Sequence, residues 1–150
     1  MSVEVLFYHL VHQPLEAALP SLLAKCLERD WRVVVQAGSQ ERCAALDAHL
    51  WTFRDDSFLP HGTKDDGFAE EQPIYLTAEG DNPNRADVRF LVDRAAPPPL
   101  VGYQRAVYMF DGNDAEALAD ARQRWKEAKG EGFAVTYWQQ TESGGWERKA

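Results

Sequence analysis

Six runs of apolar residues, separated by turn-forming residues, predict six β-strands in this chain. The predicted strands cover residues 3–8, 32–37, 73–77, 88–92, 105–110 and 133–138. The second run is almost continuously apolar, which is typical of a strand buried on both faces of a parallel sheet. The double glycine at positions 144 and 145 predicts a turn followed by a short tail.

Three segments between these strands place apolar residues three and four positions apart, which predicts three helices. In the first segment Pro14 is suited to opening the helix, but Pro20 falls inside the pattern. Because a proline inside a helix costs about 3 kcal/mol, two starts are compatible with the pattern, one at Pro14 and one near Ser21. The second helix runs through Leu50, with Ser39 as its predicted N-cap.

The third predicted helix follows Gly112, where Asn113 and Glu116 have the spacing of a capping box, and it ends at a glycine, position 130 or 132. Strands that alternate with helices predict an α/β fold, with a mostly parallel sheet and helices on both faces. A chain of 150 residues suits a single three-layer domain of this kind, spanning residues 1–150. The expected architecture resembles a mononucleotide-binding fold without the phosphate loop.

The charge balance limits the classes of function. A net charge of −8 disfavours general binding to nucleic-acid phosphates. A protein with this net charge can still carry a local basic patch. The sequence shows no signal peptide and no apolar run near the ~20 residues of a membrane span, so we expect a cytoplasmic protein. Cys26 and Cys43 fall within helical patterns and are predicted to be buried free thiols.

Residue patterns for common enzymatic sites are missing from the sequence. A phosphate site needs a glycine-rich turn between strand and helix, and the first such turn, residues 9–13, contains no glycine. No nucleophile-elbow motif occurs. His61, near two adjacent aspartates, is better explained as a loop histidine bonded to the backbone than as a general base. We therefore predict no catalytic residue, no metal site and no cofactor.

The segment 50–62 is apolar but has neither a strand period nor a helix period. For Trp51 and Phe53 the favoured interpretation is a loop packed onto the core. For Phe58 and Leu59, which precede Pro60, packing and a surface for a partner protein are equally plausible, since clustered exposed apolar residues usually mark an interaction site.

The third predicted helix separates its charges, with acids in its first half and bases in its second. Attraction to the helix dipole explains part of this pattern and all of Arg124. Arg122, Lys126 and Lys129, however, have the spacing i, i+4, i+7 and share one stripe, with Trp125 at its border. Such a stripe suits an acidic peptide that ends in an apolar residue, whose carboxylate an arginine can hold with two hydrogen bonds.

The chain resembles a known family through an ordered set of short motifs that covers nearly its whole length. The motifs are Leu50-Trp51, Ser57-Phe58-Leu59-Pro60-His61, Gln72-Pro73-Ile74, Phe110-Asp111-Gly112, Ala121-Arg122-Gln123-Arg124-Trp125-Lys126, Gly132-Phe133, Tyr137-Trp138-Gln139-Gln140 and Gly145-Trp146. The family is the chi subunit of the bacterial DNA polymerase III holoenzyme, part of the clamp-loader assembly. Each motif alone is weak, and their order and spacing together carry the resemblance.

The resemblance implies a non-catalytic accessory subunit with the fold expected above. In the family, chi links the clamp loader, through its psi partner, to the acidic carboxyl-terminal tail of single-stranded DNA-binding protein. By resemblance, Arg122 holds the terminal carboxylate, Lys126 supports it and Trp125 forms an aromatic wall. Some members carry a further lysine where this chain has Leu118.

The resemblance also assigns a second surface, at Trp51 and Phe58, to psi or to an alternative helicase partner. Two other functions stay open on the residues alone. One is a small nucleotide-binding enzyme on the same scaffold, which fold class cannot exclude. The other is a stand-alone nucleic-acid binder, which the net charge of −8 opposes.

Overall fold

A computed structural model describes residues 3–52 and 60–150 of the protein. Seven strands are present in this part of the chain: β1 (Glu4–Leu10), β2 (Val33–Gln36), β3 (Ile74–Thr77), β4 (Val88–Leu91), β5 (Arg105–Asp111), β6 (Ala134–Gln140) and β7 (Trp146–Arg148). Three α-helices connect them: α1 (Leu15–Glu28), α2 (Gln40–Thr52) and α3 (Ala115–Gly130). Two short 3₁₀ turns, Lys64–Asp66 and Ala69–Glu71, precede β3.

The strands form one sheet in the order β3-β2-β4-β5-β1-β6-β7. Every neighbouring pair is parallel except β6 and β7, which pair antiparallel. The predicted α/β class and mostly parallel sheet are therefore confirmed. Strand β7 was not predicted, because a three-residue strand beside a glycine turn has too few positions to show a period.

The sheet divides the core into two clusters, because successive side chains of a strand point to opposite faces. Leu6 of β1 lies in the cluster beneath α1 and α2, whereas Phe7 lies in the cluster beneath α3. Between β4 and β5 the chain makes no helix. Instead the segment 95–103 packs Leu100 and Tyr103 onto the α3 face, so the proline-rich connection covers sheet that no helix reaches.

Helix α1 begins at Leu15, directly after Pro14 as predicted, and continues through Pro20, so the alternative start near Ser21 is wrong. A proline at position 20 has no N–H to give to the carbonyl of Glu16, four residues earlier. The Nε2 of His49, on α2, lies 2.7 Å from that carbonyl oxygen. A side chain from the neighbouring helix thus supplies the hydrogen bond that the proline removes, which lowers the cost of keeping Pro20 inside the helix.

We expect the His49→Ala substitution to lower the free energy of unfolding by about 1 kcal/mol, the net value of a typical hydrogen bond. In a Pro20→Ala background, residue 20 regains its N–H and can bond Glu16 itself, so the same His49→Ala change should cost less. Urea unfolding of the four proteins in this cycle measures the coupling. Equal costs of His49→Ala in both backgrounds would show that His49 acts independently of Pro20.

Helix α3 starts differently from its prediction. Its N-cap is Asp114, whose Oδ1 accepts from the backbone N–H groups of Glu116 and Ala117. The predicted capping box of Asn113 and Glu116 is wrong, because both side chains are engaged elsewhere. The Asn113 amide donates to the carbonyl of Val11, and the Glu116 carboxylate pairs with Arg94. The helix ends at Gly130, one of the two predicted positions.

The predicted N-cap of α2 is confirmed, since Ser39 Oγ accepts from the N–H of Arg42 at 3.2 Å.

The sequence favoured a loop packed onto the core for Trp51, and this prediction is wrong. Helix α2 extends to Thr52 and leaves Trp51 53% exposed. Its ring centroid lies 4.7 Å from that of His61, which is itself buried. Pro60 is half-buried. Phe53, Phe58 and Leu59 lie outside the described residues.

Both cysteines are buried free thiols, as predicted, and burial raises the pKa of each to about 11. Within the described ranges, every helix falls short of the length and apolar character needed to cross a bilayer.

Candidate functional site

The basic stripe predicted from the sequence lies on the exposed side of α3. Arg122, Lys126 and Lys129 are all exposed there, while Ala121 and Ala128 of the same helix face the core. Within residues 3–52 and 60–150, Arg122 and Lys126 form no hydrogen bond or ion pair. The structure thus leaves two cations of the stripe uncompensated by the protein's own acids.

Arg124 behaves differently from these three cations, although it lies between them in sequence. Its guanidinium pairs with Asp120 at 3.8 Å and with Glu127 at 3.2 Å, both one turn away on α3. Its side chain is only 23% exposed. Arg124 is therefore held by ion pairs within α3, which the helix dipole proposed from the sequence does not by itself explain.

Trp125 borders the stripe and anchors it to the sheet. Its ring meets Phe7 of β1 edge-on, with 5.5 Å between centroids, and Tyr137 of β6 in the same way at 5.8 Å. The Nζ of Lys129 lies 4.8 Å from the centroid of the Trp125 ring, a distance at which an ammonium is attracted to the ring face. The indole is half-buried, so part of it remains open beside the cations.

Tyr137 extends the site from α3 onto β6. Its hydroxyl lies 2.6 Å from Nδ1 of His9 at the end of β1. Burial raises the pKa of the Tyr137 phenol, and the positive charge of Arg122 opposes that shift, which places Arg122 within electrostatic reach of the phenol. Burial lowers the pKa of His9, against the opposing charge of Asp111. The neutral imidazole is therefore favoured beside Tyr137.

Gly112 allows this arrangement, because a side-chain carbon at that position would overlap the ring of His9. His9, Gly112 and Tyr137 were not among the site residues predicted from the sequence. The only signal available was the alternation along β6, which puts Tyr137 and Trp138 on opposite faces of the sheet. Nothing local in the sequence shows that the Tyr137 face lies beside α3.

The four predicted residues of the stripe are thus brought together with two aromatic residues from the sheet. Guanidinium and ammonium groups can bind a carboxylate, and the open side of Trp125 and Tyr137 can accept an apolar side chain. Trp51, a described residue of the other predicted surface, lies apart from this site, because α2 packs on the opposite face of the sheet.

A second feature is the crevice at the carboxyl ends of β1 and β5, the place where open α/β sheets usually bind ligands. It has a volume of about 610 Å³. Its cations are already paired: Arg42 with Glu16 at 2.7 Å and Asp93 at 3.0 Å, and Arg94 with Glu116 at 3.2 Å. The hydrogen bond from Arg42 lowers the pKa of the Glu16 carboxyl, so this pair is charged at neutral pH.

The loop that would cradle a phosphate in this crevice is occupied by the protein itself. Oε1 of Gln140 accepts from three consecutive backbone N–H groups, those of Val11 at 3.2 Å, His12 at 2.9 Å and Gln13 at 2.9 Å. Gln140 is 2% exposed. In nucleotide-binding α/β proteins such N–H groups face the phosphate, whereas here an internal carboxamide takes that place.

Known proteins resemble this chain over most of its length. A family model described as "DNA polymerase III chi subunit, HolC" matches residues 2–136, a range that contains all of α3. The "Probable DNA polymerase III subunit chi" of Rickettsia prowazekii (strain Madrid E) is 33% identical over 85 residues. That match covers 57% of this chain and 52% of the relative, so the chain spans about half the length of the curated relative that it matches.

Proposed function

The chain belongs to the DNA polymerase III chi subunit family, and we propose that it acts as a non-catalytic adaptor in DNA replication. In this proposal α3 binds the acidic carboxyl-terminal tail of single-stranded DNA-binding protein. The opposite side of the molecule contacts the clamp loader, through psi or another component of the assembly, in the cytoplasm.

The observation that carries the proposal is the uncompensated charge of Arg122 and Lys126. A protein with a net charge of −8 has ample acid to pair them, as it does for Arg42, Arg94 and Arg124. Instead the two side chains stand exposed beside the half-buried Trp125. Open cations next to apolar surface match a ligand that is acidic and ends in an apolar side chain.

The proposed complex assigns a role to each residue of the stripe. The guanidinium of Arg122 holds the terminal carboxylate of the tail with two parallel hydrogen bonds. Lys126 attracts acidic residues that precede the end of the tail. The terminal apolar side chain packs against Trp125 and Tyr137, and Lys129, held over the Trp125 ring, adds positive charge at the border.

The clamp-loader contact is placed at Trp51, Phe58, Leu59 and Pro60. Trp51 supports this assignment, because an indole that is 53% exposed at the end of α2 offers apolar surface to a partner. Since α2 and α3 cover opposite faces of the sheet, one molecule can hold both partners at once. Simultaneous binding is what an adaptor requires.

The competing function, a small nucleotide-binding enzyme, finds less support. Its phosphate would have to displace Gln140 from three N–H donors and would meet arginines already neutralised by Glu16, Asp93 and Glu116. A stand-alone nucleic-acid binder needs a broader basic footprint than the stripe on α3.

The test compares Arg122→Ala with Arg124→Ala, two arginines on one helix that differ in their pairing. The probe is a short fluorescent peptide, rich in aspartate and ending in a free phenylalanine carboxylate. We expect Arg122→Ala to weaken binding by about 10- to 100-fold, because a hydrogen bond to a charged group contributes about 1.5–3 kcal/mol. Arg124→Ala should change the affinity by less than about 3-fold, since its charge is already satisfied by two acids.

Fluorescence anisotropy gives the affinities, and circular dichroism establishes that both variants remain folded. The same peptide with an amidated carboxyl end should bind wild type as weakly as the free-acid peptide binds Arg122→Ala. Affinity should also fall as salt is added, because exposed charges are screened. Equal affinities of wild type and Arg122→Ala would exclude the proposed role of α3.

A further inference from the structure

A second cleft lies on the opposite face of the sheet from α3, between α1 and the edge formed by β6 and β7. Its volume is about 250 Å³, and its floor consists of the buried side chains of Val88, Phe90 and Val107. The cleft is independent of the α3 stripe, because Trp138 and Tyr137 of β6 point to opposite faces. We refer to it as the α1–β7 cleft.

One wall of the α1–β7 cleft is aromatic. The ring of Tyr8 lies 4.5 Å from that of Trp146 and 6.5 Å from that of Trp138, measured between centroids. All three residues are half-buried, so each presents both a packed and an open part. The wall therefore offers apolar surface at the sheet edge without exposing whole rings to water.

The other wall is cationic. The guanidinium carbons of Arg29 and Arg105 lie 4.9 Å and 5.1 Å from the centroid of the Trp31 ring, and Lys25 stands nearby on α1. Arg105 pairs with Glu4 at 2.8 Å. Arg29 and Lys25 have no acidic partner among the described residues. The lining holds these three cations and no acid.

Burying the stems of lysine and arginine along Trp31 would explain their position, but not why Lys25 and Arg29 lack an acidic partner among the described residues. In a protein with 24 acidic and 16 basic side chains, a cleft whose charged lining residues are all cations, only one of them paired with an acid, is electrostatically complementary to an anionic ligand. The aromatic wall and apolar floor require that the same ligand also carry an apolar group.

The size of the cleft narrows the choice of ligand. Sites for whole small molecules typically measure about 300–1,000 Å³, so about 250 Å³ suits one or two side chains. Single-stranded nucleic acid needs open aromatic faces on which bases stack. Here Tyr8 and Trp146 lie against each other and guanidinium groups stand over Trp31. A protein segment therefore fits better than a nucleic acid.

We propose that the α1–β7 cleft binds an acidic segment of a second protein, which inserts one aromatic or long aliphatic side chain between Trp146 and Trp31. Acidic residues on either side of the inserted group pair with Arg29 and Lys25 at the rim. This inference does not depend on the function proposed for α3.

The experiment uses isothermal titration calorimetry on the full chain with the peptide acetyl-Asp-Asp-Phe-Asp-Asp-amide, which has an internal phenylalanine and no free terminal carboxylate. We expect binding to wild type and a loss of at least about 10-fold in affinity when Lys25→Gln and Arg29→Gln are combined. Both side chains are exposed, so the double variant should fold normally. Lys149→Gln, an exposed cation outside the cleft, is the matched control and should change nothing.

Three results would overturn the proposal. The first is no binding of the peptide at millimolar concentration, or equal binding of acetyl-Asn-Asn-Phe-Asn-Asn-amide. The second is loss of binding in Arg122→Ala but not in the double variant, which would assign the peptide to α3. The third is tight binding of oligothymidylate that the double variant abolishes, which would make the cleft a nucleic-acid site. A Trp146→Ala variant should lose affinity for the acidic peptide while keeping tail-peptide binding on α3.

Discussion

The Arg89→Met substitution is expected to lower the free energy of unfolding by about 3–5 kcal/mol, a large fraction of the stability of a domain this size. Arg89 lies in β4 and is completely buried, yet no carboxylate of residues 3–52 or 60–150 pairs with it. Uncharged oxygens surround its guanidinium instead. Its Nε and Nη2 atoms both donate to Gln36 Oε1, at 3.1 and 2.6 Å.

The remaining donors of Arg89 hold the connection between β3 and β4. Nη2 donates to the carbonyl of Glu79 at 2.7 Å. Nη1 donates to the carbonyl of Asp81 at 2.9 Å and to the hydroxyl of Tyr103 at 3.1 Å. Methionine fills similar space but leaves these acceptors without a donor. Each acceptor that stays buried and unpaired lowers the free energy of unfolding by about 1–3 kcal/mol.

Chemical denaturation of Arg89→Met and of Arg94→Met checks this expectation. Arg94 is exposed and forms a single surface ion pair with Glu116, so its substitution should cost no more than about 1 kcal/mol. If the two variants lose equal stability, the hydrogen-bond network around Arg89 contributes little. Tail-peptide binding should survive in the folded fraction of Arg89→Met, since β4 is remote from the α3 stripe in the sheet order.

The second large effect is expected for Gln140→Ala, with a loss of about 3 kcal/mol in the free energy of unfolding. Three backbone N–H groups between β1 and α1 donate to Gln140 Oε1, and alanine removes their common acceptor. Each donor left unpaired away from water costs about 1–3 kcal/mol, and partial access of water to this loop reduces the total.

Gln140→Glu is the matched variant, because it keeps an oxygen acceptor at the same place. A carboxylate that accepts several N–H bonds has a lowered pKa, so this variant should be nearly as stable as wild type at neutral pH. The stabilisation by the glutamate charge is fully present above the unfolded-state pKa of this carboxyl group and is lost as pH falls through the lower, folded-state pKa. The free energy of unfolding of Gln140→Glu should therefore drop in acid more than that of wild type. Equal losses for Gln140→Ala and Gln140→Glu at pH 7 would contradict the role assigned to the carboxamide oxygen.

Arg89 and Gln140 show which parts of the fold local sequence can predict. The apolar run at residues 88–92 identifies β4 correctly, because four apolar positions of strand character outweigh one charge. That the arginine is buried depends on Gln36 and Tyr103, which lie 53 and 14 residues away. The alternative start of α1 near Ser21 is wrong for the same reason. The hydrogen bond that offsets the cost of Pro20 inside the helix comes from His49, which lies 33 residues from its acceptor Glu16.

The candidate site divides in the same way. Helical periodicity alone places Arg122, Lys126 and Lys129 on one stripe, because residues three and four apart share a helix face. Periodicity does not show that Tyr137 completes the site, since that depends on β6 lying beside β1 in the sheet. Nor does it show that Arg124, which lies off the stripe, is paired with Asp120 and Glu127.

The central claim is that the acidic tail of single-stranded DNA-binding protein docks beside Trp125, and the indole N–H resonances of the isotope-labelled protein test it most directly. The chain has five tryptophans, so the spectrum contains five such signals, and a Trp125→Phe variant assigns the relevant one. On addition of the phenylalanine-ended acidic peptide, the Trp125 signal should shift. Saturable binding that leaves Trp125 unmoved would contradict the account.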